Sequence, residues 1–189
     1  MLNYPNKKKP IQKVNNYANL GMTLESDIEE TNQYYLTHNI AVIHKKPTPI
    51  QVVNVSYPAR NKAKITEAYY RTPSTTDFNG LYKGKYIDFD AKETNSKTSM
   101  PLANIHEHQM RHLKDVEHHG GIAFFIVGWK VYNEYYLLPY KELEPLWEAS
   151  KKDGRKSIPY SFFKEKGIKI PFSYQPRLDY LKAVDQLLK

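Results

Sequence analysis

Apolar and polar positions change rhythm several times along the chain, and each change predicts an element. Leu24, Ile28, Thr31 and Tyr35 recur at helical intervals behind Thr23, a residue suited to an N-cap, so a helix is expected from Thr23 to about Thr37. Glu25, Asp27, Glu29 and Glu30 crowd its first turns, where the helix dipole favours acids. Ile40–Ile43 reads as a short strand and Gln51–Val55 as another. From Ser74 to Glu93 the pattern is strand, turn, strand, with Gly80 and the Lys83-Gly84 pair supplying turn chemistry. A helix follows from about Asn104 to His118, stopped by Gly120 and Gly121. Ile122–Val127 is an unbroken apolar run of strand length, which suits a central strand covered on both faces. Tyr135–Leu138 is a further strand. Helices around Lys141–Ala149 and Arg177–Leu188 close the chain, with a polar, Lys-rich connection between them. Helices interleaved with strands predict an α/β fold, a mixed β-sheet flanked by helices.

Two stretches do not fit that frame. Residues 1–20 are polar and basic, with Lys7, Lys8, Lys9 and Lys13, and read as a flexible N-terminal arm ahead of a single domain over 21–189. Residues 45–71 carry Lys45, Lys46, Arg60, Lys62, Lys64 and Arg71 against one acid, Glu67, and are divided by Pro47, Pro49 and Pro58. Proline keeps a chain extended and out of central strands, so this segment is expected as a basic excursion from the core.

Charge narrows the partners. Twenty-eight Lys and Arg against 20 Asp and Glu give a formal net charge of +8, which points first to polyanions. Cysteine is absent, which excludes disulfides, thiolate zinc sites and thiol nucleophiles. No apolar run approaches the roughly 18 residues that span a bilayer, and no apolar stretch follows the N-terminal charges, so neither a membrane span nor a secretory leader is expected.

The chemistry gathers between Thr75 and Glu93. In the second strand of that hairpin Ile87, Phe89 and Ala91 point one way, while Tyr86, Asp88, Asp90 and Lys92 point the other. Asp77, on the preceding strand, can approach the same face across the turn. Two carboxylates beside a lysine make a concrete hydrolytic site. The carboxylates suit Mg²⁺, and the lysine can donate to a scissile phosphate or orient the attacking water. Both signs are needed together, because acids alone would repel the phosphate. The competing reading is a solvated surface pair, and for Asp88 a solvent-facing or supporting acid.

Gln109 lies along the apolar stripe of Ile105, Met110, Leu113 and Val116. It could complete a metal shell, hold a ligand, or border the core. Five of the seven histidines, His106, His108, His112, His118 and His119, fall on or beside the same helix, but no His-Glu-x-x-His pattern is present, and solvated or phosphate-facing imidazoles fit better than a zinc site. Among the 16 tyrosines, Tyr69, Tyr70 and Tyr82 accompany basic residues and could stack on exposed bases, with core or rim packing as the alternative.

The order of three segments resembles the RecU family of Holliday junction resolvases: His44-Lys-Lys-Pro-Thr-Pro49, Thr72-Pro-Ser-Thr-Thr-Asp-Phe-Asn-Gly80 and Tyr86-Ile-Asp-Phe-Asp-Ala-Lys-Glu-Thr94. Ile105-His-Glu-His-Gln109 and Tyr174-Gln-Pro-Arg-Leu-Asp-Tyr180 extend the likeness, which spans roughly residues 21–188. The resemblance implies a restriction-endonuclease-like fold of the PD-(D/E)xK superfamily, with 45–71 as a protruding basic stalk that enters the junction. It further implies a homodimer in the bacterial cytoplasm, associated with the nucleoid. That dimer would cut four-way DNA with Mg²⁺, or Mn²⁺ in its place, by paired symmetric nicks leaving 5′-phosphate and 3′-hydroxyl ends. Recombination, repair and chromosome segregation are the implied settings, with the strand-exchange recombinase as a further partner.

Carried over by position, Thr75, Asp77, Asp90 and Gln109 would hold the metal and Lys92 would stabilise the transition state. Glu25 and Glu29 are second-tier acids from the first helix, and Asp88 is another. Lys45, Lys46, Arg60, Lys62, Lys64 and Arg71 would contact DNA. Many relatives carry Glu where this chain has Asp90, one methylene shorter. Competing functions are a branched-DNA scaffold that modulates a recombinase without cutting, and a nuclease for linear duplex.

Overall fold

All eight residues of β7 (Ile122–Trp129) are buried, and this strand organises the molecule. The computed structural model describes residues 23–59, 61–71 and 75–188. Its six-stranded sheet runs in the order β1 (Val42–Lys45), β4 (Phe78–Tyr82), β5 (Lys85–Thr94), β7, β8 (Glu134–Pro139) and β10 (Ile168–Ile170). β5 and β7 pair in parallel, with Asp90 opposite Phe125, and the other neighbours in this sheet are antiparallel. A parallel pair needs a crossover, here made of β6 (Ser99–Pro101), a 3-10 turn at Leu102–Asn104 and α2 (Glu107–His118). The fold is thus the expected mixed sheet flanked by helices.

Alternation along β5 and β7 divides the core in two. On one face Ile87, Phe89, Phe124 and Ile126 pack against Leu24, Ile28 and Tyr35 of α1 (Leu24–Thr37) and against Leu178, Tyr180 and Val184 near α5 (Leu181–Leu187). Phe89 stacks between Phe78 and Phe124, with centroids 5.1 and 4.7 Å away. On the other face Ala123, Phe125, Val127 and Trp129 meet Met110 and Leu113 of α2, Leu143 of α3 (Tyr140–Ser150) and Phe163 of α4 (Tyr160–Lys166). The same parity sends Asp88, Asp90 and Lys92 under α2.

Local chemistry sets the edges. Thr23 Oγ1 accepts from the Ser26 N–H at 3.3 Å, and Glu93 Oε1 accepts from the Leu24 N–H at 3.1 Å, so two side chains satisfy the start of α1. β4 and β5 are joined through Lys83 and Gly84, both at positive φ (48° and 74°), the conformation that a two-residue hairpin turn requires.

β2 (Ile50–Ser56) and β3 (Lys64–Tyr70) pair with each other in a separate two-stranded ribbon, and β6 pairs with β9 (Ser157–Pro159). Among the described residues no helix is long and apolar enough to cross a membrane.

Several boundaries differ from the pattern-based expectation. The first strand begins at Val42 rather than Ile40 and runs to Lys45, because Ile40 instead closes the end of α1 through its N–H to the Tyr35 carbonyl at 2.9 Å. Residues 102–106 turn before α2 begins at Glu107. The closing helix starts at Leu181, not Arg177. Ahead of it Leu178 donates its N–H to Thr31 Oγ1 at 3.1 Å, and the Tyr180 hydroxyl donates to Asn32 Oδ1 on α1. The Lys-rich connection holds β9, α4 and β10, each anchored by one or two apolar residues such as Ile158, Phe163 and Ile170.

Candidate active site

β5 carries its acids into the interior. Asp90 is fully buried, its Oδ1 ion-paired with Lys92 Nζ and its Oδ2 accepting from Gln109 Nε2. The other end of the Gln109 amide, Oε1, accepts from the backbone N–H of His106 at 3.0 Å, which fixes which way the amide points. Asp77, just before β4, accepts from the Ala91 N–H through Oδ2 at 3.0 Å, one residue along from Asp90. Burial raises the Asp90 carboxyl to about 7; Lys92 opposes that rise and the neighbouring Asp77 carboxylate adds to it. Asp77, Asp90, Lys92 and Gln109 thus converge at the β4–β5–α2 junction; hairpin parity pointed to the first three, whereas the helix stripe left Gln109 open between ligand and core border.

This donor set suits a divalent cation. Two hard carboxylates lie close enough to repel one another, which is the condition that a bound cation relieves. Among the described residues no three His, Asp or Glu side chains converge as a metal cluster by themselves, so neutral oxygens would have to complete the shell. Gln109 presents nitrogen, not oxygen, to Asp90, and would have to turn its amide to serve as a ligand. Thr75 is exposed, and its hydroxyl accepts from Lys46 Nζ at 3.0 Å.

A second cluster lies one step back along β5. Asp88 is fully buried rather than solvent-facing. Its Oδ2 meets Lys46 Nζ at 2.7 Å, the Tyr86 hydroxyl at 2.7 Å and His112 Nε2 at 2.9 Å, and its Oδ1 accepts from Thr76 Oγ1. Asn79 Nδ2 donates to the Tyr86 hydroxyl at 3.0 Å. Sequence reasoning passed over Thr76, placed Tyr86 on the acid face without a role, and read His112 as a solvated or phosphate-facing imidazole. The available signals were that Tyr86 shares the parity of Asp88, and that His112 stands one turn from Gln109 on the same helix.

The remaining candidates are dispersed. Glu25 and Glu29 turn to Lys45 Nζ at 2.9 and 2.7 Å, and no contact joins either to Asp77 or Asp90 among the described residues. Lys46 is drawn inward to Asp88, whereas Lys62, Lys64 and Arg71 are exposed on or beside the ribbon. Arg60 and the N-terminal arm lie outside the described residues. The ribbon also exposes Ile50, Val52, Val53, Ile65, Tyr69 and Tyr70, and Tyr69 donates its hydroxyl to Glu67 at 2.6 Å.

Comparison with known proteins identifies the family. The Holliday junction resolvases RecU of Staphylococcus aureus strains JH9 and MRSA252 are each 56% identical over 172 residues, covering 91% of this chain and 83% of theirs. A solved structure of Archaeoglobus fulgidus Hjc, a Holliday junction resolvase, superposes with a TM-score of 0.40 at 10% identity, covering 71% of this chain and 86% of that one. The model of the family described as Recombination protein U matches residues 19–186, nearly the whole length, and the chain belongs to that family.

Proposed function

We propose that this chain is a Holliday junction resolvase, a metal-dependent endonuclease that cuts four-way DNA. The observation that carries the chemistry is a fully buried Asp90 held between Lys92 and Gln109 beside Asp77. Asp77 and Asp90 would hold Mg²⁺, with Mn²⁺ able to replace it, and Thr75 and Gln109 would complete the set. A bound divalent ion supplies charge neutralisation at the phosphate and lowers the pKa of a water.

The chain's own groups do the rest. Lys92, only 17% exposed at its side chain, holds its ammonium on Asp90, from where it would meet the scissile phosphate and donate to the charge that develops there. Without metal, Gln109 fixes the Asp90 carboxylate through its amide nitrogen and ties α2 to β5, and its amide would turn to offer oxygen to a bound ion. Lys62, Lys64 and Arg71 offer sequence-independent contacts to the phosphate backbone, and the exposed rings of Tyr69 and Tyr70 offer stacking surfaces where bases are unpaired. The four-way junction has approximate two-fold symmetry, so a homodimer would bring two equivalent sites to opposed strands. In the cell the enzyme would act on the nucleoid in recombination and repair, alongside the strand-exchange recombinase.

The test is strand-by-strand mapping of products from mobile and immobile synthetic junctions with Mg²⁺, beside the same assay on linear duplex. Paired nicks at symmetric positions, absent in Lys92→Ala, are expected. Junction binding without cutting would indicate a scaffold instead, and cutting of matched linear duplex would indicate a different nuclease.

A further inference from the structure

We infer that Lys46, Asp88 and His112 form a clamp that ties the root of the β2–β3 ribbon to the cutting site, with Lys46 as a positioning residue. The inference rests on the resolvase reading above. β1 of the main sheet ends at Lys45 just before Lys46, the ribbon runs from Ile50 to Tyr70, and the main sheet resumes with β4 at Phe78, just after Thr75 and Thr76. The Lys46 ammonium bridges these two legs, at 3.0 Å from Thr75 Oγ1 and 2.6 Å from Thr76 Oγ1, and also meets Asp88 at 2.7 Å. The backbone repeats the tie: the Lys46 N–H donates to the Asp77 carbonyl at 2.7 Å, and the Arg71 N–H donates to the Pro49 carbonyl at 3.0 Å.

Each part of the clamp adjoins a member of the site. Thr76 precedes Asp77, Asp88 stands two residues before Asp90 on the same strand face, and His112 is one turn beyond Gln109 on α2. The pair Asp88–His112 repeats the pair Asp90–Gln109 one rung along the α2–β5 contact. Asp88 is fully buried, and a buried carboxylate that loses its cation is strongly destabilised, so the position of Lys46 is enforced rather than incidental. A ribbon displaced by DNA therefore pulls on the group that locates Asp77, and a ribbon seated correctly holds Asp77 in register with Asp90. A lysine placed only to touch phosphate would have no reason to be 15% exposed at its side chain and shared among two threonines and an acid.

The experiment compares the full-length chain with Lys46→Gln, Lys46→Arg, Asp88→Asn and the Lys46→Gln/Asp88→Asn double variant. Junction affinity is measured in EDTA, and single-turnover cleavage of saturating junction is measured across Mg²⁺ concentrations. For Lys46→Gln, affinity should hold while the cleavage rate falls about 10-fold to 100-fold and half-maximal rate moves to higher Mg²⁺. Lys46→Arg should be intermediate, and the double variant should be no slower than the slower single. Should Lys46→Gln lose its cooperative thermal transition, Lys46→Arg decides the matter, since it keeps the charge but cannot meet both threonines in the same way. A wild-type rate in Lys46→Gln, or in Lys46→Arg where that variant decides, overturns the clamp. So does weakened affinity with an unchanged rate, which would make Lys46 a phosphate contact, or losses that simply multiply in the double variant. Failure of the wild-type chain itself to cut junctions would instead overturn the resolvase reading.

Discussion

Gln109 spans the gap between α2 and β5 with both ends of its amide engaged, the nitrogen on Asp90 and the oxygen on the N–H of His106 at the start of its own helix. One side chain therefore caps a helix and orients a buried acid. Replacing it with alanine leaves a carboxylate oxygen and a backbone N–H without partners. Gln109→Ala should lose about 1–3 kcal/mol of stability, measured by urea unfolding, and cut junctions more slowly than that loss explains.

Lys92 has a different signature. Its ammonium is the one cation in contact with Asp90 among the described residues, and under the proposed function it would meet the charge that develops at the scissile phosphate. Lys92→Ala should bind junctions normally and cleave them about 100-fold to 1,000-fold more slowly in single-turnover assays.

Metal dependence can be read without catalysis. If Asp77 and Asp90 hold Mg²⁺, adding it at about 100 times its dissociation constant should stabilise the wild-type chain by about 2.7 kcal/mol. Asp77→Asn and Asp90→Asn should show little or none of that shift in thermal unfolding with and without Mg²⁺.

The charged ribbon predicts a salt effect. Lys62, Lys64 and Arg71 are exposed, and each one that neutralises a duplex phosphate contributes about 0.9 to the slope of log affinity against log salt. Changing all three to glutamine should flatten that slope in junction-binding titrations and leave the thermal transition in place.

Acid sensitivity should centre on Glu134, far from the site in sequence. Its carboxyl is pulled down from 4.5 to about 2, first by Lys169 and then by the hydroxyls of Tyr160 and Tyr136. The native state thus binds fewer protons than the unfolded chain, so this stabilisation is whole above pH 4.5 and is lost as pH falls toward 2. Denaturant unfolding from pH 6 to pH 3 should show a shallower decline in Glu134→Gln than in the wild type.

Long elements were legible because their patterns repeat. The α1 stripe, the apolar run of β7 and the alternation in β5 each extend over enough residues for a period to be counted. β9, α4 and β10 escaped because three to seven residues with one or two apolar anchors carry no period, and their tertiary partners alone define them. The meeting of Asp77, Asp90 and Lys92 could be read from strand parity. The pull of Lys46 into the interior could not, because a lysine beside prolines looks the same whether it faces solvent or a buried acid 42 residues along the sequence. His112 hid for a related reason: its partner lies across the parallel crossover, and only the packing of α2 on β5 brings the two together.

That crossover has one more effect. Asp77 and Asp90 lie in the stretch around a single hairpin, whereas Gln109 reaches Asp90, and His112 reaches Asp88, from the helix of the crossover that joins β5 to its parallel neighbour β7. The acids are therefore aimed only where α2 lies over β5, so the hairpin by itself carries the charges without the side chains that orient them.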